Sequence, residues 1–108
     1  MNRLTEQLAK IQDPQTPPAE LTIILMELAA DYSRKTDEFI QVLGRKAEVW
    51  AQLRERVESD KQADKAWEAT INGRLETSLR LELKSLEKLM SALKTHLRVR
   101  ETEAKNQW

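Results

Sequence analysis

The sequence predicts an all-α protein: a long helical hairpin, two long helices preceded by a short N-terminal helix, assembling with further copies into a helical bundle. Three observations lead there. The 108 residues are rich in straight-chain helix formers, and Gly (2) and Pro (3) are scarce, as long uninterrupted helices require. Apolar residues recur at three- and four-residue spacing, and strand-type alternation is absent. Finally, Leu79, Leu83, Leu86, Met90, Leu93 and Leu97 follow the alternating four–three spacing of a coiled-coil or antiparallel-bundle seam. A chain of this length has room for one domain, residues 1–108.

Residues 3–12 form the short helix, with Leu4, Leu8 and Ile11 on one side, and the prolines of 13–18 (DPQTPP) end it and impose an extended link. Thr16 is placed to cap the next helix, the Pro pair pre-sets its first turn, and Glu20 complements its dipole. That helix spans 19–57, carrying apolar residues from Leu21 through Leu28 and again from Phe39 to Val57. Residues 33–38 lack an apolar member but also lack Gly and Pro, so the helix is expected to continue, with Gly44 the place where it can kink. Residues 58–73 read as a polar segment and turn, because only Ala63 serves a core before Trp67 and because Asn72-Gly73 is the strongest turn signal, with Gly73 suited to a left-handed helix terminus. The last helix covers 74–105. Its apolar stripe, widened by Leu75, Leu81, Leu89 and Val99, is broader than one neighbouring helix covers, so Leu79, Leu83, Leu86, Leu89, Met90, Leu93 and Leu97 are the expected contacts to two helices or to another subunit. A Trp at the final position, Trp108, reads as a further subunit or partner contact.

Composition excludes several functions. Without Cys there is no disulfide, thiolate metal site or Cys nucleophile. His96 has no second His and no regularly spaced carboxylates, so no metal or cofactor is expected, and at the edge of the Leu seam it reads as a flanking surface residue. Carboxylate pairs such as Asp37-Glu38 are unaccompanied by a Gly-rich loop or nucleophile elbow, so no catalytic residue is expected and the protein reads as a non-enzyme. The polar start of the chain and the shortness of its longest apolar run, Ile23 to Met26, predict a cytoplasmic protein without a membrane partner.

Charge carries the remaining signal. Lys and Arg (18) balance Asp and Glu (18), yet residues 1–44 hold four basic against seven acidic side chains, and residues 80–100 hold six against two. Lys84, Lys88, Lys94 and Arg98 fall along one face opposite the Leu seam, with Arg100 beyond them. A second group, Arg45, Lys46, Arg54 and Arg56, surrounds Trp50, and Lys46, Trp50 and Arg54 share a face. Cations beside an aromatic suit single-stranded nucleic acid, since phosphates attract the one and unstacked bases the other. The plainer alternative is a solvated basic face and a core Trp, and Trp50 does fall on the buried stripe.

The segment 86–98 (LEKLMSALKTHLR), followed by 103–108 (EAKNQW), resembles small all-helical bacteriophage proteins. The order of elements, an acidic Leu-rich first half, a polar excursion and a long Leu, Ala and Lys final helix, resembles the phage recombination mediators of the UvsY type. The resemblance implies a homo-oligomer in the host-cell cytoplasm that binds single-stranded DNA and helps a RecA-like recombinase displace single-strand-binding protein. It carries no residue-by-residue motif. Two readings compete with it: a phage-type inhibitor or adaptor, such as an anti-defence protein, whose acidic half meets a basic partner surface, and a structural coiled-coil scaffold.

Overall fold

A computed structural model describes residues 3–106, and these form four α-helices: α1 (Arg3–Gln12), α2 (Pro18–Glu55), α3 (Asp60–Ala69) and α4 (Ile71–Asn106). No strand occurs among the described residues. The described residues group into two compact units, the first containing 3–31 and 86–106, the second 32–85, so that α2 and α4 each contribute to both.

In the first unit α1 runs antiparallel to the start of α2, as its ion pairs record: Arg3 meets Glu27 at 3.1 Å and Asp31 at 3.7 Å, while Lys10 meets Glu20 at 3.2 Å. The core is aliphatic. Leu21, Ile24 and Leu28 of α2 are buried, as are Leu86, Leu93 and Leu97 of α4. The one buried residue of α1 is polar Gln7, whose amide donates to Glu27 at 2.8 Å, whereas Leu4 and Leu8 stay 39% and 37% exposed. The expected apolar side of α1 is therefore anchored mainly through polar contacts.

The link, expected to be extended, is instead a turn through Pro14 and Gln15, and it uses Thr16 differently from the expected cap. Asp13 accepts from the Gln15 amide at 2.9 Å, and the amides of Glu20 and Leu21 bond to the Pro17 carbonyl at 3.1 Å. Thr16 is buried and points its hydroxyl back to the Lys10 carbonyl at 2.7 Å, satisfying the end of α1. Pro17 and Pro18 bring no amide donors to the start of α2, which lowers the demand for a cap.

In the second unit Val42, Trp67 and Leu79 form a buried cluster, packed by Phe39, Val49, Trp50 and Leu53. Tyr32, Phe39, Trp50 and Trp67, the aromatic side chains of the described residues, all belong to this unit. α2 continues without interruption through 33–38 and past Gly44. The segment read as a polar turn instead contains α3. Its start is a capping arrangement: Ser59 accepts from the Gln62 amide at 3.2 Å, and the Gln62 side chain accepts from the Glu58 amide at 2.9 Å.

The reversal assigned to Asn72-Gly73 takes place at Thr70. Its amide donates to the Trp67 carbonyl at 2.9 Å, and its hydroxyl donates to the same carbonyl and accepts from the Gly73 amide at 2.9 Å. One residue thus closes α3 and opens α4. Gly73 is inside α4 with no positive φ, so left-handed backbone is not its purpose. A Cβ there would sit 1.9 Å from the Trp67 carbonyl oxygen and 2.9 Å from the Glu68 Cα, so glycine allows the two helices to approach backbone to backbone.

Candidate nucleic-acid interface

Long basic side chains bind a polyanion only where they are exposed and not already neutralised, so the partners of each cation decide its use. In the first unit Lys88, Lys94 and Arg98 are exposed on α4, on the side turned away from the buried Leu86, Leu93 and Leu97. Lys84 stands one turn before Lys88 on the same helix, in the second unit, and is also exposed. No ion pair with a described residue engages any of these four. Small residues lie between them: Ser91, Ala92 and Thr95 floor a shallow groove bordered by Lys88 and Glu87. There is no aromatic in it, so the surface offers charge without a stacking platform. Arg100 leaves this row. It is half-buried and donates to the Thr16 carbonyl at 2.6 Å, holding the link against α4.

The second basic group is committed within the chain. Lys46 bonds to Glu76 at 2.9 Å and lies 5.8 Å from the centre of the Trp67 ring. Arg54 bonds to Asp60 at 2.7 Å and to the Val57 carbonyl at 2.9 Å, completing the end of α2. Trp50 is half-buried, with its indole N–H donating to Asp64 at 2.8 Å. Of the residues grouped from sequence, Arg45 and Arg56 remain exposed. The shared face of Lys46, Trp50 and Arg54 is real, but acids of α3 and α4 occupy it. Any nucleic-acid contact by Lys46 or Arg54 would compete with these acids.

The Leu seam is likewise used inside the chain. Leu79, Leu86, Leu93 and Leu97 are buried, Leu93 completely, and Leu83, Leu89 and Met90 are half-buried. Within the chain the buried members serve its own core, and Leu83, Leu89 and Met90 are the members of the seam left partly exposed. Trp108 lies outside the described residues.

Sequence reasoning missed Glu76. It is 7% exposed, and its carboxylate is balanced by Lys46 and, at 3.9 Å, by Arg80, whose guanidinium also lies 5.6 Å from the centre of the Phe39 ring. Its four-residue spacing to Arg80 was the only signal, and that spacing is common on solvated helices. Glu27 has its pKa held below the ordinary value of 4.5, chiefly by the Gln7 hydrogen bond and further by Arg3 and Lys10, against an opposing push from burial. The Trp67 indole N–H is buried without a hydrogen-bond partner. Among the described residues no group of three or more His, Asp or Glu is arranged to hold a metal ion, and no helix is long and apolar enough to cross a membrane. No protein-family model, curated protein or solved structure matches this chain.

Proposed function

We propose that this is a non-enzymatic, homo-oligomeric helical protein that binds single-stranded DNA along the outer side of α4 and assists a RecA-like recombinase in displacing single-strand-binding protein. One observation carries the reading. Lys88, Lys94 and Arg98 are exposed without an acidic partner among the described residues, whereas Lys46, Arg54 and Arg3 are each tied into an ion pair. The recombinase and the single-strand-binding protein enter through the resemblance of the order of elements, with the segments 86–98 and 103–108, to the phage mediators.

The chemistry of the surface sets its mode of binding. Cations flank Ser91, Ala92 and Thr95 with no ring to stack on, so the ligand is held by its phosphates and the order of its bases matters little. Fluorescence anisotropy of a labelled oligonucleotide titrated across a salt series tests this. Three phosphate contacts correspond to a loss of affinity of about twentyfold between roughly 50 and 200 mM salt. Lys94→Glu and Arg98→Glu should each weaken binding at low salt, and salt-independent binding or no binding would refute the proposal.

A further inference from the structure

We infer that two copies of this chain associate by exchanging α1, the link opening at Asp13–Gln15 so that α1 of each copy docks on α2 of the other. The inference gives the homo-oligomer of the proposed function its contact and needs nothing of its DNA-binding part.

The surface that α1 occupies is defined by its charge register. Lys10 meets Glu20, Gln7 and Arg3 meet Glu27, and Arg3 also reaches Asp31. A second copy carries the same groups at the same spacing, so its α1 fits this surface as the chain's own does.

α1 is lightly held at home. Gln7 is its one buried residue, and Leu4 and Leu8 remain exposed, so apolar burial contributes little to its docking. Ten residues are also too few for a helix to persist alone in water, so α1 keeps its form by lying against an α2.

The link decides which α2 that is. Arg100 holds the Thr16 carbonyl at 2.6 Å, which fixes the end of the link beside α4 and leaves Asp13, Pro14 and Gln15 to move. Their turn is closed by local bonds: the Gln15 amide donates to the Asp13 carboxylate at 2.9 Å, the Thr16 amide to the Asp13 carbonyl at 3.2 Å and the Thr16 hydroxyl to the Lys10 carbonyl at 2.7 Å. Against them, Asp13 and Thr16 each precede a proline, which favours extended backbone at both. Opened, the segment from Gln12 to Thr16 spans about 13 Å. It carries α1 past the start of its own α2 and beside the start of the partner's, where the two helices are again antiparallel. Lys10 then returns to a Glu20, and Arg3 to a Glu27, on the other copy. The contacts given up within two chains are regained between them, and the turn alone is lost, which is the condition under which a short hinge promotes exchange.

Mixing two charge-reversed full-length chains, with the products weighed by native mass spectrometry in the absence of oligonucleotide, tests the inference. Arg3→Glu and Glu27→Arg each set like charges between α1 and α2, in a closed chain and in an exchanged homodimer alike. The exchanged heterodimer is the one species in which both contacts regain opposite charges, and the Gln7 amide can present its oxygen or its N–H to either partner. The heterodimer should therefore exceed its random-pairing share by about tenfold. The wild type should dimerise, and a Gly-Ser segment inserted between Pro14 and Gln15, which lets α1 reach its own α2 without the tight turn, should shift it to monomer. A monomeric wild type, random pairing in the mixture, or a dimer indifferent to the insertion would overturn the inference. Oligonucleotide anisotropy on the lengthened chain separates the two readings, since exchange can fail with DNA binding retained, and DNA binding can fail with exchange intact.

Discussion

Two glycines show how one residue type serves opposite ends. Gly73 has a backbone carbonyl where its Cβ would go, and backbone cannot yield as a side chain can. Gly73→Ala should therefore cost about 3 kcal/mol or more, read as a drop in the urea midpoint. Gly44 meets nothing, and Gly44→Ala should stabilise the isolated chain by about 0.5–1 kcal/mol through helix propensity. A neutral Gly73→Ala, or a destabilising Gly44→Ala at concentrations where the chain is monomeric, would contradict the pair. Sequence alone suggested a turn at Gly73 because Asn-Gly carries that signal in most contexts. The reason for this glycine is a contact with Trp67, six positions earlier in the chain, which local patterns do not encode.

Helix ends were less legible than helix interiors. The spans of α2 and α4 follow from spacing and from the scarcity of Gly and Pro, but α3 went unread because only Ala63 and Trp67 mark its buried side. Its Ser59-to-Gln62 cap was nevertheless visible as a Ser-x-x-Gln pattern. Ser59→Ala should destabilise the protein by about 1 kcal/mol in thermal or urea unfolding. The docking of α1 makes a different prediction, because it rests on Gln7, Arg3 and Lys10 around Glu27. A carboxyl group whose folded pKa is depressed contributes stability above its unfolded value, and the contribution disappears as pH falls through the folded value. Stability should thus fall on acidification below about 4.5, the ordinary value for Glu27, and Glu27→Gln should flatten that part of the profile. Urea midpoints measured at a series of pH values would check it, and parallel profiles for the two proteins would count against the assignment.

At the scale of the molecule, periodicity made the all-helical class plain, while the destination of charges and Leu residues stayed hidden. The same spacing serves a seam between subunits and a seam within a chain, and only the positions of α1 and α2 show that Leu86, Leu93 and Leu97 are covered at home. The basic residues divide in the same way. Lys46→Gln should lower stability by about 1–3 kcal/mol, because buried Glu76 would lose its partner, and Arg54→Gln by less than about 1 kcal/mol, because its pair with Asp60 is exposed. Both should leave oligonucleotide affinity within about twofold, whereas reversing Lys94 or Arg98 should do the opposite. A loss of DNA affinity in the Lys46 or Arg54 variants would move the interface to the second unit. The confinement of Tyr32, Phe39, Trp50 and Trp67 to that unit also has an optical consequence. With Trp108 replaced by Phe, indole emission and near-ultraviolet dichroism would originate in the second unit, Trp67 emitting to the blue of Trp50, while far-ultraviolet dichroism would sum over both. Any melt in which the two signals part company would resolve the units as separate cooperative bodies without a single added label.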